Sequence, residues 1–392
     1  MTHDLANLRA RLAALRDRSP SLARQLADID IASLKTPADL ARIPVLRKSS
    51  LSEAQAAEPP FAGIAAKPAG QFRRLFMSPG PIFEAEDHGE DPFGCKPAFA
   101  AAGIVAGDII LNCFSYHLTP GAFIMESGAR GLGCAMISAG PGNSEQTLRA
   151  IQQLRPDVYC GPPDFLKILL DKAAETGVDA SSIRKAFVSG AALPPSLRAD
   201  LEGRGVKTRQ AYATAELGIV AYETDGPDGK VAPGLHVNAD ILLEIVRPGS
   251  GDPVAIGAVG EVVATAVRGD FPILRLATGD LSAFLVPTRI RGWMGRADQT
   301  AKVKGMFVHP SEVVEIGKRH PELGTTRLVI TRENEQDSMK LRAEVAEPRA
   351  GLAAEVAATM QAVTKLRGAV EFVAPGALPN DGKTIADERP VG

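Results

Sequence analysis

The segment that decides the fold runs from residue 157 to residue 216 and reads DVYCGPPDFLKILLDKAAETGVDASSIRKAFVSGAALPPSLRADLEGRGVKTRQAYATAE. Short apolar runs (DVYC, KAFV and the start of VKTRQAY) alternate with longer amphipathic stretches that begin at prolines. This alternation predicts strand, helix, strand, helix, strand, and therefore a doubly wound, mostly parallel sheet. The same pattern extends back through DIILNCF (108–114) and CAMIS (134–138).

The flanking sequence follows three other patterns. Residues 4–30 carry leucines at three- and four-residue spacings and are predicted to be helical. Residues 235–290 consist of short apolar runs broken by Gly, Pro and Asp, which indicate an antiparallel sheet or a small barrel. After Arg296 the order is β-α-β-β-α-β, typical of a compact α+β domain. We therefore expect an α/β chain with a large domain (1–295), including an antiparallel sub-barrel, and a mobile C-terminal lid (296–392).

Composition excludes several classes of function. The chain has 44 basic and 46 acidic residues, so its charge favours neither nucleic acid nor an anionic membrane. The sequence has no run of about 18 apolar residues, and its first 20 residues lack the apolar core of a signal peptide. The four cysteines form no C-x-x-C pair, which argues against a zinc site or a disulfide framework. These features predict a cytoplasmic protein.

Two motifs follow predicted strands of the large domain. The first is QAYATAE (210–216), in which a strand leads into a loop bearing the carboxylate of Glu216, expected to be exposed. Open α/β sheets bind ligands at the carboxyl ends of their strands. The second is LATGD (276–280), where Asp280 on a Thr-Gly turn could accept hydrogen bonds from two adjacent hydroxyls. Each motif alone is equally an ordinary surface turn.

Two further motifs involve the predicted lid. GWMGRAD (292–298) lies on the domain boundary, where a glycine-flanked Arg296 could hold a nucleotide and the following residues could form a hinge. LPNDGK (378–383) places Lys383 after a glycine, and lysine is a compact donor to phosphate oxygens. Taken singly, the first motif is equally a charged linker and the second a solvated C-terminal tail.

In this order, the four motifs resemble those of the adenylate-forming superfamily, most closely phenylacetate-CoA ligases. Residues 212–216 stand at its Tyr-Gly-x-Ser/Thr-Glu motif, and residues 278–280 at its Thr-Gly-Asp motif. Residues 295–298 resemble its Gly-Arg-x-Asp hinge, and Gly382-Lys383 its catalytic Gly-Lys. The stretches CGPPDFLKILL, VSGAALPPSLRADLE and GMFVHPSEVVE extend the resemblance from about residue 72 to the end of the sequence.

The resemblance implies a role for each matching residue. Glu216 would hold Mg²⁺, Lys383 would bridge the acid and the α-phosphate of ATP, and Asp298 would be the hinge. Tyr116 and His117 would line the acid pocket. The residues expected to bind the nucleotide are Ser78, Gly80, Ser189, Gly190, Ala191, Tyr212, Ala213, Thr214, Asp280 and Arg296.

The phosphate loop departs from the family pattern. The equivalent stretch is MSPGPIFE (77–84), in which Ser78 supplies the hydroxyl, and Pro79 and Pro81 lack N–H groups. Glu84 and Glu86 would repel phosphate unless they point away or hold a metal. Ala215 stands where the family has Ser or Thr.

These observations lead to one main hypothesis and two alternatives. We expect ATP-dependent, AMP-forming activation of a small aryl or acyl acid, with transfer to CoA. The alternatives are transfer to an acceptor other than CoA, and a non-catalytic nucleotide or acyl-CoA sensor. The expected small molecules are ATP or AMP, Mg²⁺, CoA and a carboxylic acid, and the resemblance allows a homodimer.

Overall fold

The computed structural model describes residues 5–297, 299–333, 336–379 and 383–389. The chain forms two compact units, Met1–Met294 and Gly295–Gly392. Within the described ranges, no helix is long and apolar enough to cross a membrane.

The first unit combines α-helices with the strands of several sheets. Its helices are α1 (Leu5–Arg16), α2 (Pro20–Gln25), α3 (Lys48–Ala57), α4 (Lys96–Ala101), α5 (Gly121–Leu132), α6 (Ser144–Leu154), α7 (Pro163–Thr176) and α8 (Pro195–Gly203). Its strands are β1 (Leu46–Arg47), β2 (Arg74–Ser78), β3 (Ile82–Glu86), β4 (Ile109–Asn112), β5 (Ala135–Ser138), β6 (Val158–Gly161), β7 (Lys185–Val188), β8 (Lys207–Thr214), β9 (Gly218–Tyr222), β10 (Leu235–Val237), β11 (Leu242–Val246), β12 (Gly260–Ala266), β13 (Ile273–Ser282), β14 (Phe284–Val286) and β15 (Arg289–Ile290).

The main sheet has nine strands in the order β14-β15-β10-β9-β8-β7-β6-β4-β5. Strands β4 to β8 pair in parallel, and the helices α5 to α8 connect them. This confirms the doubly wound, parallel-rich sheet that the sequence predicts. The direction of winding reverses between β4 and β6, and such a switch point is where sheets of this kind bind ligands.

The N-terminal region contains two helices where the leucine spacing predicted a single helical stretch. The first helix ends at Arg16, and Pro20 begins α2 in its first turn, a position that favours proline. The hydroxyl of Ser19 accepts a hydrogen bond from the Leu22 N–H (3.3 Å) and caps α2. The same hydroxyl donates to the Ile64 carbonyl (2.8 Å), which anchors the turn to the body of the unit.

A second sheet of four strands has the order β1-β13-β12-β11. Its strands β11, β12 and β13 are antiparallel, as the sequence predicts, while the short β1 joins the edge in parallel. The order is linear, so these strands form an open sheet. The remaining short strands of this region, β10, β14 and β15, extend the main sheet instead.

Arg275 fixes the N-terminal region to this second sheet. Its guanidinium is buried and forms two hydrogen bonds with the carboxylate of Glu244 (2.9 and 3.0 Å). It also donates to the carbonyls of Ile43 and Gly251. Arg275 therefore connects the segment just before β1 to the second sheet. Arg275 has a φ of +46°, a region that a non-glycine residue occupies only when its surroundings hold it there.

The second unit is a separate α/β structure. It contains the helices α9 (Pro310–Arg319) and α10 (Leu352–Thr364) and the strands β16 (Ala301–Val303), β17 (Met306–Val308), β18 (Thr326–Glu333), β19 (Gln336–Glu344), β20 (Ala369–Val373) and β21 (Ile385–Asp387). The order includes the predicted β-α-β-β-α-β, with β17 and β21 as additional strands. Four strands form a sheet, β20-β19-β18-β21, and residues of both helices share its apolar core.

Replacing Arg275 with Leu should lower the free energy of unfolding by about 3–5 kcal/mol, because the buried Glu244 carboxylate loses its partner. Urea denaturation measures the change. The matched control is Arg184→Ala, which removes an ion pair whose arginine side chain is 71% exposed and should cost less than about 1 kcal/mol. The double variant Arg275→Leu with Glu244→Leu should regain part of the loss. Equal losses for Arg275→Leu and Arg184→Ala would contradict this role.

Candidate functional site

Glu216 lies at the tip of the hairpin formed by β8 and β9. Thr214 pairs with Gly218, which leaves three residues at the tip. Gly218 has a φ of +69°, and a side chain there would collide with the backbone of Phe93, so the tight turn requires glycine. The sequence predicted an exposed carboxylate, but the Glu216 side chain is only 2% exposed. The hairpin tip is therefore folded inward.

Asp280 and Tyr212, both predicted to bind the nucleotide, lie together. The Tyr212 hydroxyl donates to Asp280 Oδ2 (2.7 Å) and lies 3.2 Å from the Thr278 hydroxyl. The indole N–H of Trp293 donates to the other carboxylate oxygen of Asp280 (3.1 Å). Asp280 is thus held by two aromatic side chains, and its carboxylate could equally accept hydrogen bonds from the hydroxyls of a ribose.

Lys48 joins this group from the N-terminal region. Its ammonium Nζ lies 2.8 Å from Glu216 Oε1. The parallel pairing of β1 with β13 sets Leu46 beside Leu276 and Arg47 beside Ala277, so Lys48 follows at the level of the Thr-Gly-Asp motif. This motif, predicted to form a turn, lies within β13, where the pairing with β12 is irregular. The sequence motifs missed Lys48, because nothing in its local sequence indicates pairing with a distant strand.

The altered phosphate loop is the turn of a hairpin formed by β2 and β3. Its turn consists of Pro79, Gly80 and Pro81. The Ser78 hydroxyl, predicted to meet phosphate, is buried and donates to the carboxylate of Glu84. Glu84 is buried too, and its charge interacts with Glu216 and Lys48. The hairpin thus contributes a carboxyl group to the site.

The neighbouring Glu86 has a different environment, although it is also buried. Its carboxylate lies 2.7 Å from Arg74 and 3.5 Å from Arg130. These arginines compensate its charge locally, whereas Glu84 has Ser78 and the more distant Lys48. Of the two acidic residues in this strand, Glu84 therefore belongs to the candidate site.

The charges of the cluster are strongly coupled. Burial raises the pKa of Glu84, and the Glu216 carboxylate raises it further, to about 8. Burial alone would lower the pKa of Lys48, but the carboxylates of Glu216, Asp280 and Glu84 outweigh it and raise that pKa. Burial also opposes ionisation of Glu216, but Lys48 outweighs it and lowers the Glu216 pKa. These shifts favour an ionised Lys48–Glu216 pair beside a protonated Glu84.

The site also has buried carboxylate oxygens whose contacts with donors are poorly oriented. Among the described residues, both carboxylate oxygens of Glu216 and the Oε2 atom of Glu84 are buried without a well-oriented hydrogen bond. The Lys48 ammonium therefore compensates Glu216 by charge and proximity. Such atoms fit a hard cation, since Mg²⁺ prefers oxygen ligands.

The remaining predicted nucleotide residues lie on the same edge of the main sheet. Ser189, Gly190 and Ala191 follow β7 directly, and the buried Ser189 hydroxyl donates to the Ala211 carbonyl on β8 (2.8 Å). Ala213 and Thr214 end β8, where the Thr214 hydroxyl accepts a hydrogen bond from the Leu217 N–H. The carboxyl ends of neighbouring strands thus place these residues beside Tyr212.

Tyr116 and His117 follow β4 at the switch point of the sheet. The Tyr116 ring packs edge-on against Phe123 (5.2 Å between centroids), and its hydroxyl accepts a hydrogen bond from the Asn112 amide (3.0 Å). Burial raises the pKa of Tyr116 to about 12, so its hydroxyl remains protonated. His117 is exposed, and the structure does not bring its side chain into this packing.

The other predicted residues belong to the second unit. The Arg296 guanidinium lies over the Phe307 ring, 5.9 Å from its centroid. Lys383 is exposed and comes just before β21. The hinge residue Asp298 and Gly382 of the Gly-Lys motif lie outside the described residues.

The chain is similar to several known enzymes. Residues 93–270 match the family of AMP-binding enzymes. A phenylacetate-CoA ligase of Thermus thermophilus is 28% identical over 364 residues, which cover 87% of this chain and 80% of the relative. Another phenylacetate-CoA ligase, of Aromatoleum evansii, is 26% identical, covering 80% of this chain and 73% of the relative.

The chain contains an AMP-binding enzyme domain over residues 93–270, and most of its length is similar to phenylacetate-CoA ligases. Solved structures show the same fold. A 2-hydroxyisobutyryl-CoA ligase in complex with its acyl-AMP and CoA aligns with a TM-score of 0.82 at 24% identity, covering 99% of this chain and 89% of that one. The amide bond synthetase McbA of Marinactinospora thermotolerans aligns with a TM-score of 0.59 at 20% identity, covering 79% and 66%.

The candidate site should give the protein a pH-dependent stability through Glu84. The folded protein holds the Glu84 proton until the pH passes about 8, whereas the ordinary pKa is 4.5. Stability from this group is therefore fully present below pH 4.5 and is lost as the pH rises through about 8. The slope reaches at most about 1.4 kcal/mol per pH unit.

Urea unfolding between pH 5 and pH 9 tests this, with Glu84→Gln expected to make the slope shallower by the contribution of Glu84. The exposed Glu53→Gln on α3 serves as the control and should leave the slope unchanged. An unaltered slope in Glu84→Gln would show that Glu84 is ionised in the folded protein at neutral pH.

Proposed function

We propose that the protein activates a small aryl or acyl carboxylic acid with ATP and transfers the acyl group to CoA. The observation that carries this proposal is the joining of Tyr212, Asp280, Glu216 and Lys48 at the carboxyl edge of the main sheet. Tyr212 and Asp280 suit a nucleoside, whereas Glu216 and Lys48 suit the phosphate chain and its metal ion. The similarity to proteins named phenylacetate-CoA ligase supports a carboxylic acid as the substrate and the thiol of CoA as the acyl acceptor.

The reaction proceeds in two steps. A carboxylate oxygen of the acid attacks the α-phosphorus of ATP, and pyrophosphate leaves as the acyl-adenylate forms. The thiol sulfur of CoA then attacks the acyl carbon, losing its proton, and AMP leaves with the bridging oxygen. Because the acid and ATP are both anionic, the first step requires positive charge and accurate positioning.

Residues of the first unit would hold the nucleotide. Asp280 would accept hydrogen bonds from the ribose hydroxyls, and Tyr212 would lie against the adenine beside residues 189–191. Glu216, whose Oε1 atom lies beside the Lys48 ammonium, would hold Mg²⁺, and Glu84 offers a further oxygen. Mg²⁺ would supply charge neutralisation of the phosphate chain when bound.

The acid pocket would lie at the switch point of the sheet. Tyr116, packed on Phe123, provides an aromatic wall with a protonated hydroxyl. His117 would act from the exposed side of the same loop. The second unit would contribute Lys383 to the acid and the α-phosphate and Arg296 to the ribose or phosphates, with Asp298 as hinge.

One observation favours a second candidate, a sensor that binds an adenylate or acyl-CoA without turnover. Pro79 and Pro81 remove two backbone donors, and Ser78 donates to Glu84. A sensor of this kind would bind AMP but release no pyrophosphate from ATP. Transfer to an acceptor other than CoA would instead release pyrophosphate and leave CoA unmodified.

We further propose that the protein works in the cytoplasm, without nucleic acid or membrane, and forms a homodimer. The near balance of 44 basic and 46 acidic residues supports the absence of these anionic partners.

A screen of carboxylic acids, starting with phenylacetate, should find one that stimulates pyrophosphate release in the presence of ATP and Mg²⁺. Lys383→Ala should then reduce the rate at least about 100-fold, because the transition state loses a positive charge. The exposed Lys318→Ala on α9 is the control and should retain the wild-type rate. A Lys383→Ala variant with an unchanged rate would remove Lys383 from the reaction, and no release with any acid would favour the sensor.

A further inference from the structure

The hairpin at the phosphate loop has few donors for a triphosphate. Its turn contains two prolines, and the hydroxyl of Ser78 donates to Glu84. The nearby side chains Glu84 and Glu216 are acidic. If ATP binds here, the positive charge that meets its outer phosphates must come from another part of the first unit.

Lys48 has the required position and donors. Its Nζ atom lies 2.8 Å from Glu216, and its charge interacts with Glu84 on the hairpin and Asp280 on β13. Its side chain is 20% exposed, so the ammonium is partly buried but still reachable. An ammonium group has three N–H donors, and the Glu216 contact accounts for one.

The local structure does not explain a lysine at this position. Lys48 is the first residue of α3, where the helix dipole disfavours a positive charge. The pairing of β1 with β13 and the anchoring of the preceding segment by Arg275 nevertheless place it at the site. The carboxylates of the cluster compensate the charge of the Lys48 ammonium. The lysine is therefore stabilised by the site and not by its position in α3.

We propose that Lys48 binds the β- and γ-phosphates of ATP, replacing the donors that the proline-containing hairpin lacks. This inference rests on the proposed function, because it concerns the ATP of that reaction. In it, Glu216 holds the ammonium beside the hairpin, and the remaining N–H donors face the phosphate chain. Lys48 thus differs in role from Lys383, which is assigned to the acid and the α-phosphate.

Calorimetric titration of the full chain with ATP and with AMP, each with Mg²⁺, tests the proposal. Lys48→Met should weaken ATP binding at least about tenfold, the effect of losing a charge-assisted hydrogen bond. AMP lacks the two outer phosphates, so its affinity should change less than about twofold. The matched control is Lys67→Met, since Lys67 is also largely buried and ion-paired, with Asp87, but away from this cluster.

The outcomes separate the two proposals. Wild-type protein that binds neither nucleotide would overturn the proposed function and this inference with it. Wild-type ATP binding that Lys48→Met leaves intact, or equal weakening of ATP and AMP, would overturn only the role of Lys48. Binding of AMP without ATP by the wild type would also overturn it. If Lys48→Met fails to fold, Lys48→Gln, which keeps hydrogen-bond donors but lacks the charge, is measured in its place.

Discussion

The candidate site depends on the ion pair between Lys48 and Glu216. A buried carboxylate is costly unless an opposite charge compensates it, and removing one partner of such a pair is strongly destabilising. Here the single ammonium lies among Glu216, Glu84 and Asp280. One ammonium cannot balance three carboxylates. Burial and the Glu216 carboxylate raise the pKa of Glu84, which favours its neutral form and lowers the excess negative charge.

This ion pair makes the N-terminal region part of the site. Lys48 reaches Glu216 because β1 pairs with β13, and the segment before β1 is bound through its carbonyls to Arg275. The guanidinium is in turn held by Glu244. The buried Arg275–Glu244 pair thus supports the segment that carries Lys48, and Arg275 belongs to the same strand, β13, that carries Asp280.

The sequence predicts much of this arrangement because some requirements are local. Parallel strands alternating with helices leave a pattern of apolar runs, and the hairpin tip at Thr214–Gly218 needs a glycine at position 218. The turn predicted at Thr278–Asp280 was wrong, since these residues lie within β13, where Gly279 has a φ of +76°. The motifs nevertheless located Tyr212, Glu216 and Asp280, which the structure brings to one edge of the sheet.

Other members of the cluster depend on contacts between distant parts of the chain. The apolar spacing gives no indication that Lys48 will face Glu216, or that Glu84 will turn toward it while Glu86 is neutralised by Arg74 and Arg130. The predicted exposure of Glu216 was also wrong, since a carboxylate at a loop is ordinarily solvated. Trp293 lies within one of the sequence motifs, but the hydrogen bond from its indole to Asp280 requires the folded sheet.

The central claim is that the acid is activated as an acyl-adenylate, and isotope transfer tests it most directly. The acid that best stimulates pyrophosphate release is labelled with ¹⁸O in both carboxylate oxygens and incubated with the protein, ATP, Mg²⁺ and CoA. The released AMP is then analysed by mass spectrometry. The account predicts one ¹⁸O atom in AMP, because the bridging oxygen stays with phosphorus when the thiol attacks the acyl carbon. Unlabelled AMP, or label in inorganic phosphate instead, would contradict it.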